Sequence, residues 1–428
     1  MLSQCRKWLN GRAFFAVLAV LLAGIGIYLV VIFVREFFWG SGSFHGTHND
    51  FLAFYGAAHL TLHGQISQIY NPTVMTQFQR TIVHHSVGAN GYMPFLNPPF
   101  IAVLLSPLAL LSINDARVVW LILNLILISG IAYWLVKYLD GKLSRMICAV
   151  LLVCTFPVYQ NLIEGQLSII ILAGCLLALW LARHQILILG GAALVTLLIK
   201  PQLAVFAAIG LMIFKQWRVL LGLVGIAITL IVITLPVTRL KVYGTYLHYI
   251  LGVTAGHFNG AGAVAASVWQ GSLKLTIGIN GMYTALLGQA NISGVNVLTV
   301  LTILGLLILY VLAIRKVHPG FNSMPKRLML VASVALAMLI DPHAFSQDLV
   351  LAYLFIPIIL PLRPRIMITL IYLVFIELII IDQFVFLHLV TIALIVLTLS
   401  ILIDAIKGYH SRLSIFRRLP TKAVLDKH

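Results

Sequence analysis

"NPPFIAVLLSPLALL" occupies residues 97–111, and whether it crosses a membrane sets the path of the whole chain. Its apolar run, Pro99–Leu111, rises 1.5 Å per residue as a helix and reaches about 20 Å, short of a hydrocarbon core of about 30 Å. Pro107 interrupts it. The stretch therefore reads as a helix that dips into the outer leaflet without crossing.

The surrounding sequence supports that reading through charge. Hydrophobic residues make up 61% of the 428-residue chain and charged residues 9%. Many separate apolar runs and no domain-sized polar block indicate a polytopic membrane protein and exclude a soluble enzyme on an anchor. The run Phe14–Val34 follows Arg6, Lys7 and Arg12 and is too long for a signal-peptide core. It reads as an uncleaved first span with a cytoplasmic N-terminus. Further spans are expected at 117–137, 146–160, 166–182, 186–199, 202–214, 219–236, 294–314, 328–341, 348–362, 366–382 and 385–404, about 12 in all. If 99–111 stays on one side, 21 of the 28 Lys and Arg become cytoplasmic. If it crosses, several basic loops move outside, against the positive-inside rule. The net charge of +17 thus reports topology, and no nucleic-acid partner is implied. Cys5, Cys148, Cys154 and Cys175 have no metal or disulfide-framework spacing.

The expected architecture is an all-α polytopic membrane protein, one integral membrane domain over 1–428. It has cytoplasmic tails at 1–13 and 405–428 and extracytoplasmic loops at 36–116 and 237–293. Within the first loop, Phe51, Phe54, Tyr55, Ala58 and Leu62 fall on one helical stripe, which reads as an interfacial surface helix over 51–64. The cytoplasmic face offers mainly Lys and Arg at span ends. The other face collects Asp50, Asn97, "NLIEGQ" with Glu164 and Gln166, "KPQ" with Lys200, Gln270, and "DPHAFSQD" with Asp341, His343, Gln347 and Asp348. Any chemistry is therefore expected at the extracytoplasmic surface.

Each of these residues has two readings. Asp50 serves as a helix N-cap or as a general base, and one carboxylate can do both. His59 and His63 have an i, i+4 spacing with no third ligand, so they read as interfacial imidazoles, and no metal site is expected. Lys200 either snorkels or acts as a cation; its place on the outer face favours a functional role, and Arg117 invites the same argument more weakly. Ionisable groups at a membrane boundary, such as those of "DPHAFSQD", are functional candidates against the alternative of a hydrated turn. Glu377 lies inside an expected span. There is no nucleotide-binding glycine motif, which argues against an ATP-driven pump.

The order of the motifs resembles glycosyltransferase family 87, the polyprenol-phosphate-mannose-dependent mannosyltransferases. The carriers are "NDFLAFYGAAHLTLHGQ", "NPPFIAVLLSPLALL", "NLIEGQLS", "LLIKPQLAV", "SVWQGSL" and "DPHAFSQDLVL". Asn97 stands where members often have Tyr, and Val268-Trp269-Gln270 stands where they often read Asn-Gln-Ser. The resemblance implies a GT-C membrane fold, a lipid-linked sugar donor, no metal or other cofactor, and a catalytic Asp matched by Asp50. Asp50 would take the acceptor hydroxyl's proton as it attacks the anomeric carbon, inverting it. Lys200 and His343, with Arg117 behind them, would stabilise the leaving polyprenyl phosphate. Gln166, Glu164, Asn97, Gln270 and Asp348 would touch donor or acceptor. The expected partners are a polyprenyl-phosphate-linked hexose, a lipid or glycan acceptor, and the lipids of a bacterial inner membrane. The rival readings are a lipid-linked-sugar flippase or transporter, and a non-catalytic subunit that binds a lipid-linked sugar.

Overall fold

Apolar sequence punctuated by proline and glycine dictates helices with abrupt ends, and helices are the only regular structure among the described residues. The computed structural model describes residues 24, 26–35, 50–83, 93–137, 149, 152–254, 276–288, 292–317, 324–341, 343–359, 382 and 388–407. The helices that carry the argument are α1 (Phe51–Leu62), α2 (Pro72–Val83), α3 (Pro99–Leu105), α4 (Ile113–Val136), α5 (Phe156–Glu164), α6 (Ser168–Arg183), α7 (Leu187–Ala193), α8 (Pro201–Ile213), α9 (Trp217–Thr254), α10 (Ile279–Leu287), α11 (Ile292–Lys316), α12 (Met324–Ile340), α13 (Phe355–Ile359) and α14 (Leu389–Ile406). Tighter 3-10 turns follow α3 (Ser106–Leu110), precede α8 (Leu194–Ile199) and join α12 to α13 (Ser346–Leu354).

Proline opens several of these helices because its missing N–H is one the first turn cannot pair anyway. Pro99, Pro157 and Pro201 play that part in α3, α5 and α8. Ser112 caps α4, accepting from the Asp115 backbone N–H at 3.3 Å. The α3 run is as short as its sequence demands. It tightens into the 3-10 turn at Ser106 and ends before Leu111.

Among the described residues, four helices are long and apolar enough to cross a membrane: Ile113–Val136, Trp217–Leu251 within α9, Ser293–Lys316 within α11, and Leu389–Ile406. Six further apolar helices hold 10–17 residues. Three expectations change. The stretch 51–64 is no one-striped surface helix: α1 ends at Leu62 and is buried on nearly every side, with Leu52, Ala57 and Ala58 fully enclosed. The faces opposite the aromatic stripe carry Ala53, Gly56 and Ala57, small enough for neighbours to close over. The span expected at 146–160 is broken by a turn at Cys154 and Thr155, and α5 starts only at Phe156. The helix expected to stop at 236 instead runs to Thr254 through a kink marked by Pro236 and by Arg239 at φ 57°. Beyond the kink, Leu240, Leu247 and Leu251 face outward while Val242 and Tyr246 are buried. The stretch 240–251 is therefore two-faced. The expected span 366–382, apart from Asp382, lies outside the described residues.

Close backbone approach fixes the packing. A Cβ on Gly191 of α7 would lie 1.9 Å from the Val219 carbonyl oxygen of α9, and one on Gly222 would lie 2.0 Å from that of Ile188. Glycine lets the two helices touch main chain to main chain, as small residues do between membrane helices. A mainly apolar cavity of about 310 Å³ opens among α6, α8, α11 and α12. It runs from Leu197 and Leu203, which flank Lys200 in sequence, to Arg183 and Gln216 at the far ends of α6 and α8.

Candidate active site

The polar residues that hydropathy leaves unexplained sit at helix ends, and the fold brings many of those ends together. Asp50 precedes α1, Glu164 and Gln166 flank the α5–α6 turn, Lys200 precedes α8, and Asp341 and Asp348 lie between α12 and α13.

The α5–α6 turn is set by Gly165, which adopts a left-handed φ of 69° as the end of α5. A Cβ there would lie 2.6 Å from Phe51 Cβ. The Gly165 carbonyl accepts from Trp120 Nε1 at 2.9 Å. The turn is thus pinned from both sides against the residue that follows Asp50. Across this contact Gln166 Nε2 donates to Asp50 Oδ2. The Glu164 carboxylate accepts from the Asp50 backbone N–H, and its Oε2 is enclosed with no hydrogen-bond partner among the described residues.

Asp348 holds the other side. Lys200 Nζ lies 2.5 Å from its Oδ2, Ser168 Oγ donates to its Oδ1 at 2.6 Å, and the Phe345 N–H donates to Oδ2 at 3.0 Å. The Lys200 side chain is 16% exposed and that of Asp348 3%. Asp341 accepts from Gln202 Nε2 at 3.1 Å and from the His343 N–H at 2.9 Å. Asn161 ties the two halves together by donating from Nδ2 to the Gln347 carbonyl at 2.6 Å.

Burial governs protonation here, and the neighbouring charges modify it. Burial pushes the Asp50 carboxyl up to about 7, against the pull of Lys200 and with the push of Asp348. Burial, and then the Asp50 charge, hold Glu164 well above the usual carboxylate range. Burial also raises Asp341. Burial alone would lower Lys200, but Asp348, Asp341 and Asp50 outweigh it and keep the amine above its ordinary value. Burial and then Lys200 bring His343 down to about 4, so its imidazole is neutral at pH 7. The result is a fixed cation beside a carboxylate poised to take or release a proton near neutrality. Such an arrangement suits general-base chemistry next to a developing anion.

The chain matches glycosyltransferase family 87 over residues 95–342, more than half its length. It belongs to that family. It is therefore a glycosyltransferase, an enzyme acting between a sugar donor and an acceptor. No curated protein and no solved structure matches it.

The matched range of this family 87 chain contains Asn97, Arg117, Glu164, Gln166, Lys200 and Gln270 but stops before His343 and Asp348 and begins after Asp50. The fold supplies those three from outside the range. Of the residues singled out in the sequence, Asp50, Glu164, Gln166, Lys200, His343 and Asp348 converge. Asn97 uses its amide to donate to the Ile199 carbonyl at 2.8 Å, and its own carbonyl accepts from Tyr70 at 2.7 Å. It thereby fixes the residue before Lys200. Arg117 is half-buried in the first turns of α4, and the charges that act on Asp50 come from Lys200 and Asp348. His59 and His63 pair with each other, ring centroids 4.1 Å apart, on the C-terminal part of α1. Gln270 and Glu377 lie outside the described residues. Sequence reasoning passed over Ser168 and Asn161. Ser168 opens an otherwise apolar helix and Asn161 sits in a buried run, and a polar residue in such a place must find a partner.

Proposed function

We propose that this family 87 enzyme transfers a hexose, mannose on the family resemblance, from a polyprenyl-phosphate carrier to a lipid or glycan acceptor at the extracytoplasmic face of a bacterial inner membrane. The observation that carries the reading is the meeting of Asp50, held by Gln166, with the Lys200–Asp348 pair at one end of the helices. Asp50 accepts the acceptor hydroxyl's proton while the oxygen attacks the anomeric carbon. The carbon–oxygen bond to phosphate breaks on the opposite side, and its electron pair stays on the phosphate. Attack from the face opposite the leaving group inverts the anomeric centre. Lys200 stabilises the departing phosphate, with neutral His343 as a hydrogen-bonding neighbour.

The 310 Å³ apolar cavity lies beside Lys200 in sequence and space, through Leu197 and Leu203, and suits a hydrocarbon tail whose head group stays at the polar end. The excess of Lys and Arg in the loops assigned to the opposite face supports an extracytoplasmic site and about 12 crossings, and the GT-C arrangement rests on the family resemblance. Purified protein incubated with radiolabelled polyprenyl-phosphate mannose and a lipid extract of its source should label a lipid or glycan. Transfer from GDP-mannose with no polyprenyl phosphate present would refute the donor assignment.

A further inference from the structure

Two acids close enough for one charge to act on the other pose a question of which keeps its proton. Asp50 has a donor on its carboxylate, Gln166, and a cation nearby, Lys200; both favour its charged form. Glu164 has neither. Its carboxylate meets the Asp50 backbone N–H, and Oε2 is enclosed with no hydrogen-bond partner among the described residues. A buried ionised carboxylate oxygen without a donor is costly, whereas an acid O–H at the same place is a donor awaiting an acceptor.

We propose that Glu164 works as a neutral acid, fixed through its carbonyl on the Asp50 N–H and offering its Oε2–H to the oxygen of the attacking hydroxyl, so that the hydroxyl's own proton points at Asp50. The inference rests on the transfer reaction proposed above. Glu164 keeps its proton through the cycle. The proton lost by the acceptor goes to Asp50 and then to water. The other charged and titratable groups on the surrounding elements are Lys200 before α8, Asp348 and Tyr353 before α13, Asp341 and His343 after α12, Asp115, Arg117 and Tyr133 on α4, Tyr159 on α5, Cys175 and Arg183 on α6, Tyr55 and His59 on α1, and His63 just past it. Lys200 donates to Asp348, and Oε2 has no partner among the described residues.

The chain has three glutamates, Glu36, Glu164 and Glu377. In a full-length Glu36→Gln, Glu377→Gln background, glutamate carrying a ¹³C-labelled side-chain carboxyl reads Glu164 alone, without altering it. At pH 8 infrared absorption should show the C=O stretch of a neutral acid. A carboxylate band in its place overturns the proposal. In transfer assays Glu164→Ala should lose at least about tenfold in kcat, the low end of a general-catalysis effect. Glu164→Gln, whose NH₂ can also donate, should recover most of that and leave the acid limb of the pH profile where the wild type has it. A Gln variant as slow as Ala, or an acid limb displaced downward, also overturns it. A neutral Glu164 in a chain that transfers no sugar from polyprenyl-phosphate mannose would instead fell the proposed function.

Discussion

Asp50 titrating at about 7 makes a sign-definite claim about rate. A general base works in its ionised form, so kcat/KM should rise with pH, bend near 7 and level off above it. Below the bend it should fall about tenfold per pH unit. A profile flat from pH 5 to 8 would remove Asp50 from the proton path. Asp50→Asn should cost about 10²–10⁴ in kcat while leaving expression intact, because the amide keeps the shape and loses the proton acceptor. The Lys200–Asp348 pair allows a separation of stability from chemistry. Lys200→Ala leaves an enclosed Asp348 carboxylate without its cation, a loss of about 3–5 kcal/mol for buried pairs. Lys200→Ala with Asp348→Asn should recover much of the thermal stability and none of the donor use, read by melting temperature and by KM for the donor. If the double variant recovered both, Lys200 would be a structural residue only. At this scale the sequence was informative because a membrane protein has so few charges: each carboxylate outside the basic loops asked for a reason. The Asp348–Lys200 bond was not legible, since 148 positions separate the two and only the fold joins them.

Among the elements, the α5–α6 turn does the positioning. Gly165→Ala adds a Cβ where φ is 69° and where Phe51 Cβ would lie 2.6 Å away. The left-handed conformation alone costs about 1–2 kcal/mol, and the overlap pushes Gln166 and Phe51 apart. The expected outcome is a lower melting temperature together with a fall in kcat. Gly64→Ala supplies the comparison: its φ is 73° but nothing lies within 4 Å, so stability should drop a little and transfer should not. Equal kcat in both variants would show that the turn does not hold the base. Helix α1 shows where pattern reading stops. A stripe of Phe51, Phe54, Tyr55, Ala58 and Leu62 looks like one apolar face, and the reading assumed the remainder met water. Ala53, Gly56 and Ala57 are compatible with water or with tight packing, and the neighbouring chain decided for packing. In α9, the expected span ended at 236, yet a kink at Pro236 and Arg239 let the helix go on.

For the molecule as a whole, the prediction is an orientation. Single cysteines at Gln65 or Thr73, in a background freed of the four native cysteines, should react with an impermeant maleimide in intact cells, and one beyond Lys407 should not. The reverse pattern would put the polar cluster on the cytoplasmic side and exclude the lipid-carrier donor. Hydropathy made the helical class plain from the chain alone, because no soluble fold tolerates 61% hydrophobic residues with 9% charged. It blurred the span boundaries, because several helices hold only 10–17 residues and continue as 3-10 turns.

The void among α6, α8, α11 and α12 has a mechanical consequence. Most of a protein interior is close-packed and nearly incompressible, so volume can be given up only where there is a gap. Here about 310 Å³ of it lies among these helices, walled mainly by Leu, Ala and Phe side chains that can slide inward. Hydrostatic pressure favours whichever state occupies less space. Squeezing should therefore draw α8 and α12 together before it disturbs the Gly165 turn, and the soft and stiff halves of one bundle would part under a load that heat applies evenly.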